Sequence, residues 1–139
     1  VRVGYAIADE QWTPYLERTR QPFNINLVAQ EGALAALDDK AFLAMTRSKT
    51  LSGKYELYAA CKKLGLYCVP SVTNFILIDV QRDCRQVFQE LLKLGVIVRD
   101  MKQYRLDTFI RVTVGTPAEN RRFVRALKSV VGSNKRSVA

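Results

Sequence analysis

The chain has 139 residues, 48% of them hydrophobic, and a formal net charge of +9. This length allows one domain with a hydrophobic core and is too short for two, and no apolar run is long enough to span a bilayer. Because the chain contains no histidine, serine–histidine and cysteine–histidine nucleophiles are excluded, together with the commonest metal ligand.

The cysteines and the charge favour a reduced, cytoplasmic protein with a basic surface. Cys61, Cys68 and Cys84 show no metal-ligand spacing, and their odd number argues against a disulfide framework. We expect them to be reduced and partly buried. Lys and Arg are interleaved with acids along predicted helices, and no RNA-binding aromatic signature is present. We therefore interpret the charge mainly as solvated surface, with a few arginines that bind anions.

The beginning of the chain predicts a strand, a short helix and a connector. Residues 1–7 alternate between larger and smaller side chains, which is typical of a strand. No partner strand is evident downstream, so we expect the rest of its sheet upstream, in a longer protein. Asp9 is predicted to cap a short helix that ends at Arg20. Pro22 disfavours a helical conformation for the residue before it, which makes 20–26 an extended connector.

Two helices are predicted next, over 27–37 and 40–64. Asp38 and Asp39 are suited to end the first and cap the second, and Gly65 is a suitable C-terminal stop. Apolar residues recur in the second helix at helical intervals and predict core packing: Phe42, Met45, Leu51, Tyr55, Tyr58 and Cys61. Its lysines predict surface charge: Lys49, Lys54, Lys62 and Lys63.

The second half of the chain predicts a small sheet with helices. The apolar run 74–80 has strand length and is expected to be buried. Asp83 and Gln86 open a helix in capping-box manner, and Gly95 closes it. The strand, this helix and the following strand make a βαβ-like unit. A hairpin over 95–117 completes the sheet and leads into a helix that Thr116 caps.

The hairpin carries the candidate binding residues. Its second strand alternates, so that Ile110 and Val112 face one side and Arg111 the other. If the hairpin is symmetric about Arg105, Arg99 lies opposite Arg111. Like charges directly opposite each other destabilise a sheet, so the pair suggests an anion beside them, and Arg grips carboxylate or phosphate in a bidentate way. The alternative is two solvated arginines on an open sheet face.

These same residues carry a family resemblance. GVIVRD at 95–100 and IRVTVGTPAEN at 110–120, with the connector RQPFNIN at 20–26 and VRVGY at 1–5, resemble the C-terminal portion of histidinol-phosphate aminotransferases. Those are pyridoxal-phosphate enzymes of the aspartate-aminotransferase fold. The resemblance implies an α+β fold: a two-layer α/β sandwich in which a small, mostly antiparallel sheet packs against helices, as in the small C-terminal domain of fold-type I enzymes.

The resemblance also implies roles for individual residues. Arg111 resembles the arginine that holds the substrate α-carboxylate, Arg99 the one that helps hold the substrate phosphate, and Arg2 the one that binds the cofactor phosphate. The cofactor would be pyridoxal 5'-phosphate, and its Schiff-base lysine is expected just before Val1. No catalytic residue is therefore assigned within the chain. The isolated chain is expected not to bind the cofactor and to be inactive.

The implied organisation is that of a fragment. Residues 1–20 would be a remnant of the large cofactor-binding domain, with a strand and a short helix, and 21–139 the small C-terminal domain. The substrates would be an amino-acid phosphate and a 2-oxo acid, in histidine biosynthesis. The full-length protein would be a cytoplasmic homodimer that does not contact membranes.

Two other functions remain open at the level of sequence. The same fold serves a threonine-phosphate decarboxylase and aromatic aminotransferases, which have similar arginines. The other alternative is a stand-alone basic α+β module that binds nucleic acid through its sheet face. Steep weakening of that binding by salt would distinguish it.

Overall fold

A computed structural model describes residues 2–132. The chain divides into two compact units, Val1–Ala44 and Met45–Ala139. The predicted boundary after residue 20 concerns a larger protein and stays a prediction. No helix in the described part of the chain is long and apolar enough to cross a membrane.

The first unit contains α1 (Thr13–Thr19) and α2 (Leu27–Asp38). The described residues of 1–7 lie in no helix or strand. A strand needs a neighbour to satisfy its N–H and C=O groups, and the sheet expected for this segment lies upstream, so the strand stays a prediction. Helix α1 begins later than predicted, with Trp12 as its N-cap and Pro14 in its first turn, a position that suits proline.

Helix α3 (Lys40–Lys63) joins the two units. Its predicted cap is confirmed, since Asp39 Oδ1 accepts the N–H of Phe42 at 2.9 Å. Its predicted stop is confirmed as well. Gly65 has a φ of +73°, the left-handed conformation that glycine adopts without strain.

The second unit is a four-stranded antiparallel sheet with helices packed against one face. The strands are β1 (Tyr67–Val69), β2 (Phe75–Asp79), β3 (Arg99–Asp100) and β4 (Phe109–Thr113) in the order β1-β2-β4-β3. Helix α4 (Cys84–Lys93) lies between β2 and β3 in the chain, a short 3-10 helix (Lys102–Tyr104) precedes β4, and α5 (Pro117–Gly132) follows it. The sequence analysis did not predict β1.

The βαβ-like unit is confirmed in a split form. Strands β2 and β3 each pair antiparallel with β4, so they run parallel to each other with β4 between them. Ile76 and Ile78 of β2 and Ile110 of β4 are fully buried under the helices, where they meet Leu91 and Leu127. The alternation turns Leu77 and Arg111 toward the opposite face, which α4 and α5 do not cover. The predicted α+β class is confirmed.

Helix α3 departs from its predicted pattern. Its buried residues are Gly53, Lys54, Leu57 and Cys61, whereas four of the residues predicted for the core are exposed: Phe42, Met45, Leu51 and Tyr55. Only one side of α3 packs against the rest of the second unit. It is the side that contains Gly53, because the missing side chain there allows close approach. A Cβ at Gly53 would lie 2.6 Å from Val114 Cγ1.

Candidate functional site

The predicted arginine pair is present on the open face of the sheet. Arg99 of β3 and Arg111 of β4 are direct partners in the antiparallel register. Ile110 and Val112 point to the helices and are buried, while Arg111 between them is half-buried on the other face. The assumed symmetry of the hairpin is therefore confirmed. Arg105, at its centre, adopts a φ of +60°.

An aromatic ring lies beside each guanidinium. The Arg111 Cζ atom is 4.9 Å from the centroid of the Phe75 ring. The Arg99 Cζ atom is 5.9 Å from the centroid of the Tyr104 ring. Such contacts stabilise a cation and restrict its rotamers without using its N–H donors. The sequence analysis did not select Phe75 or Tyr104. Strand alternation carried the signal for Phe75, because it places this ring on the same face as Arg111.

Neither guanidinium has a carboxylate partner among the described residues. Within residues 2–132, no carboxylate forms an ion pair with Arg99 or Arg111, and neither side chain donates a hydrogen bond. The strand register pairs the two arginines, and an aromatic ring lies beside each guanidinium. Their planar N–H donors match the oxygens of carboxylates and phosphates, so the arrangement suits an anion.

Both arginines line a cleft of about 570 Å³. One side is formed by 95–99 and the other by 111–115, and the first turns of α5 close one end. The cleft exists because β3 is shorter than the predicted strand. The N–H groups of Gly95 and Val96 bond to the C-terminal carbonyls of α4 at 2.9 and 3.0 Å, so the chain follows the helix before it reaches β4. Arg122 also lines the cleft, and its Nη2 atom lies close to Gly95.

The turn from β4 into α5 fixes the far end of the cleft. Asn120, which is buried, accepts from the N–H of Gly115 at 2.9 Å and donates to its carbonyl at 3.2 Å. Glu119 accepts from the N–H and the hydroxyl of Thr116 at 2.7 and 2.8 Å, which confirms the predicted cap. These hydrogen bonds, the backbone N–H first, hold the pKa of the Glu119 carboxyl below its usual value. The one carboxylate of the cleft is thus committed to the helix cap.

Arg2 belongs to the first compact unit, its side chain is exposed, and its backbone lies outside any helix or strand. Its predicted contact with a cofactor phosphate stays a prediction.

One buried cation was missed. Lys54 was predicted on the surface, yet it is 6% exposed and donates from Nζ to the carbonyl of Ser71 at 2.9 Å. Tyr58 accepts from the N–H of Ser71 at 2.9 Å. Together they hold the loop that leads into β2, and so the position of Phe75. Nothing in the sequence distinguished Lys54 from the exposed lysines of the same helix.

Residues 1–127 match the family described as aminotransferase class I and II. A curated relative, the histidinol-phosphate aminotransferase of Moorella thermoacetica, is 47% identical over 131 residues, which cover 94% of this chain and 34% of the relative.

Two solved structures share the fold. Histidinol-phosphate aminotransferase from Sinorhizobium meliloti, in complex with pyridoxal-5'-phosphate, aligns with a TM-score of 0.77 at 25% identity over 86% of this chain and 34% of that one. L-threonine-O-3-phosphate decarboxylase from Porphyromonas gingivalis aligns with a TM-score of 0.70 at 21% identity over 91% of this chain and 40% of that one; this likeness concerns the fold alone.

The chain belongs to the aminotransferase class I and II family. It spans about a third of the length of the curated relative described above.

Proposed function

We propose that this chain is the substrate-anchoring part of a pyridoxal-phosphate-dependent aminotransferase, and that Arg99 and Arg111 hold the anionic groups of its substrates. The observation that carries the proposal is the facing pair itself: two arginines that are partners in the strand register and line one cleft, each beside an aromatic ring, without a carboxylate partner in residues 2–132. An anion of charge −2 would relieve their repulsion and satisfy their donors.

The substrates we propose are histidinol phosphate and 2-oxoglutarate, in histidine biosynthesis. Histidinol phosphate carries one phosphate, of charge about −1.5 to −2 at neutral pH, and no carboxylate. The oxo acid and its amino acid carry two carboxylates. The α-carboxylate assigned to Arg111 therefore belongs to the oxo-acid half of the reaction, while the phosphate assigned to Arg99 belongs to the other half. Two positive charges match either dianion, which suits a site that binds the two substrates in turn.

The cofactor of the full-length protein would be pyridoxal phosphate, which when bound serves as an electron sink for carbanion chemistry. The residue of this chain that fits it is Arg2, whose exposed guanidinium has the charge and donor geometry that a phosphate monoester requires. We expect the Schiff-base lysine in a part of the protein that precedes this chain. The contribution of the chain itself is to bind and orient substrate anions, not to move protons at the reacting carbon.

Exposed apolar surface supports a larger assembly. In the first unit, several large apolar side chains are exposed: Trp12, Tyr15, Phe23, Leu27 and Val28. The rings of Trp12 and Tyr15 are neighbours, with centroids 6.2 Å apart, and grouped apolar surface marks contacts with other protein. We propose that a cofactor-binding domain and a second subunit of a homodimer contact this surface in the full-length protein.

The proposed anchoring role is tested in the full-length protein with Arg99→Gln and Arg111→Gln. Each removes a charge-assisted contact worth about 1.5–3 kcal/mol, so kcat/KM should fall roughly 10- to 150-fold, for histidinol phosphate in Arg99→Gln and for 2-oxoglutarate in Arg111→Gln. Arg121→Gln, at an exposed position of α5, removes the same charge outside the cleft and serves as the control. If both cleft variants stay within about twofold of that control, the anchoring role is wrong.

A second measurement concerns the isolated chain. The 139-residue chain, supplied with pyridoxal phosphate, histidinol phosphate and 2-oxoglutarate, should show no transamination, because the residues assigned to it bind substrate and none holds the cofactor covalently. Measurable turnover would contradict this division of roles.

The site also fits a substrate that carries a carboxylate and a phosphate on one molecule, with one arginine for each group, as threonine phosphate requires. Release of carbon dioxide from threonine phosphate by the full-length protein, without amino transfer to an oxo acid, would favour this decarboxylase; an aromatic amino donor would favour the aromatic aminotransferase. The nucleic-acid alternative predicts binding that weakens steeply with salt. The site favours it less, because both arginines line a cleft that they share with the apolar Ile97 and Val98.

A further inference from the structure

We propose that Cys61 and Cys68 form an oxidation site, in which peroxide converts two neighbouring thiols into a disulfide and the sulfur of Cys68 reacts first. The proposal does not depend on the proposed function. It uses groups that lie outside the arginine cleft.

The end of helix α3 brings the two thiols together. The N–H of Gly65 donates to the carbonyl of Lys62 at 3.1 Å, and the N–H of Leu66 donates to the carbonyl of Cys61 at 3.0 Å. This pair of bonds around a left-handed glycine is a Schellman motif, which reverses the chain at the end of a helix. Strand β1 therefore runs back along the helix it has just left.

Strand register then aims Cys68 at the helix. Cys68 is paired with Ile78, which is fully buried in the core, and Cys68 itself packs against the core cluster that contains Cys61. Tyr58 and Lys62, on the turn of α3 that contains Cys61, line the same cavity as Cys68, which places the two thiols near each other. Both are free, so the pair is reduced.

The two sulfurs differ in access. Cys61 is 1% exposed. Cys68 is half-buried and lines a surface cavity of about 450 Å³ together with Tyr58, Lys62 and Tyr67. Peroxide is little larger than water, so the cavity admits it to Cys68 and not to Cys61. The Lys62 ammonium beside this cavity favours a negative charge there. Partly exposed thiols near a cation are the reactive kind.

The interaction between the two thiols favours the thiolate on the accessible sulfur. The neighbouring Cys61 lowers the pKa of the Cys68 thiol. The neighbouring Cys68, followed by burial, raises the pKa of the Cys61 thiol. The pair therefore loses its first proton from Cys68.

The reaction is balanced with peroxide as the oxidant. The Cys68 thiolate attacks one oxygen of hydrogen peroxide; an S–O bond forms, the O–O bond breaks, and hydroxide leaves and is protonated to water. Cys61 then attacks the sulfur of the resulting sulfenic acid; an S–S bond forms, the S–O bond breaks, and the departing hydroxide takes the proton of Cys61 as a second water. The two thiols supply the two electrons that reduce the peroxide.

The test is peroxide treatment of the full-length protein, alkylation of the remaining thiols and tryptic mass spectrometry. Trypsin cleaves after Lys62 and Lys63, so the disulfide joins a peptide ending at Lys62 to one beginning at Leu64. We expect these disulfide-linked peptides to form at peroxide concentrations at which Cys84 stays reduced and is therefore alkylated. They should disappear on addition of a thiol reductant. Cys84 is fully buried and provides the internal control.

Variants distinguish the roles of the two sulfurs. Cys61→Ser should stop the reaction at a Cys68 sulfenic acid that a dione reagent traps, and Cys68→Ser should leave Cys61 as a thiol. Cys61→Ala replaces Cys61→Ser if the buried hydroxyl prevents folding. The proposal is overturned if Cys61 and Cys68 both remain alkylatable when an equal concentration of free glutathione is fully oxidised, or if Cys84 is oxidised before Cys68.

Discussion

The facing arginines make a prediction that does not require catalysis. Replacing Arg99 by Gln removes one of two like charges directly opposite each other on an antiparallel ladder, where repulsion costs about 0.2–1 kcal/mol. The same change loses the contact of Arg99 with Tyr104 at 5.9 Å, which stabilises by about 0.5 kcal/mol at an exposed site. These terms nearly cancel, so the free energy of unfolding of the variant alone is a poor test.

Salt separates the two terms. Repulsion between exposed charges is screened as the Debye length falls from about 30 Å at 0.01 M salt to about 3 Å at 1 M, whereas the contact with the ring acts at short range. Between these salt concentrations, the wild-type chain should gain about 0.2–1 kcal/mol relative to Arg99→Gln. Urea is the denaturant to use, because it is uncharged. Arg121→Gln controls for net charge and should show no such change.

A double-mutant cycle completes the test. The coupling energy between Arg99→Gln and Arg111→Gln should be repulsive at low salt, about 0.2–1 kcal/mol, and should approach zero at 1 M. Inorganic phosphate at ten times its dissociation constant should stabilise the wild-type chain by about 1.4 kcal/mol and both single variants by less. A coupling energy that is zero or attractive at low salt would refute the reasoning that this pair is held ready for an anion.

Two further predictions concern the scaffold. Gly53→Ala should lower the free energy of unfolding by about 1 kcal/mol, because overpacking costs about 1–3 kcal/mol and better helix propensity returns at most about 1 kcal/mol. The control Ser52→Ala, at an exposed position of the same helix, should change the free energy of unfolding by less than about 0.5 kcal/mol. If Gly53→Ala leaves the free energy of unfolding unchanged, α3 does not closely approach Val114, the residue that follows β4. The hydrogen bond from Lys102 lowers the pKa of Asp83, so its stabilising contribution is complete above the unfolded pKa of about 3.9 and is lost as the pH falls through the lower folded value; urea unfolding followed below pH 5 should show a smaller decline for Asp83→Asn, and an identical decline would contradict the pairing.

The amino-acid sequence by itself determined features that depend on residues close together in the chain. The Asp39 and Asp83 caps, the Gly65 stop and the Thr116–Glu119 cap all involve a side chain and backbone within a few residues, where local geometry decides the outcome. The opposition of Arg99 and Arg111 belongs here too, because the length of a hairpin loop sets the register on both sides of it.

Tertiary structure decided the features that depend on which elements meet. Residues 96–98 could continue a strand, but the carbonyls at the end of α4 take the backbone bonds, and this opens the cleft. Lys54 is buried and Tyr55 exposed because only one side of α3 packs against the rest of the second unit. Cys61 and Cys68 are neighbours because β1, a strand of three residues, follows a reversal at Gly65. Such pairings depend on competition between distant groups for the same partners, and a pattern of neighbouring residues contains no record of that competition.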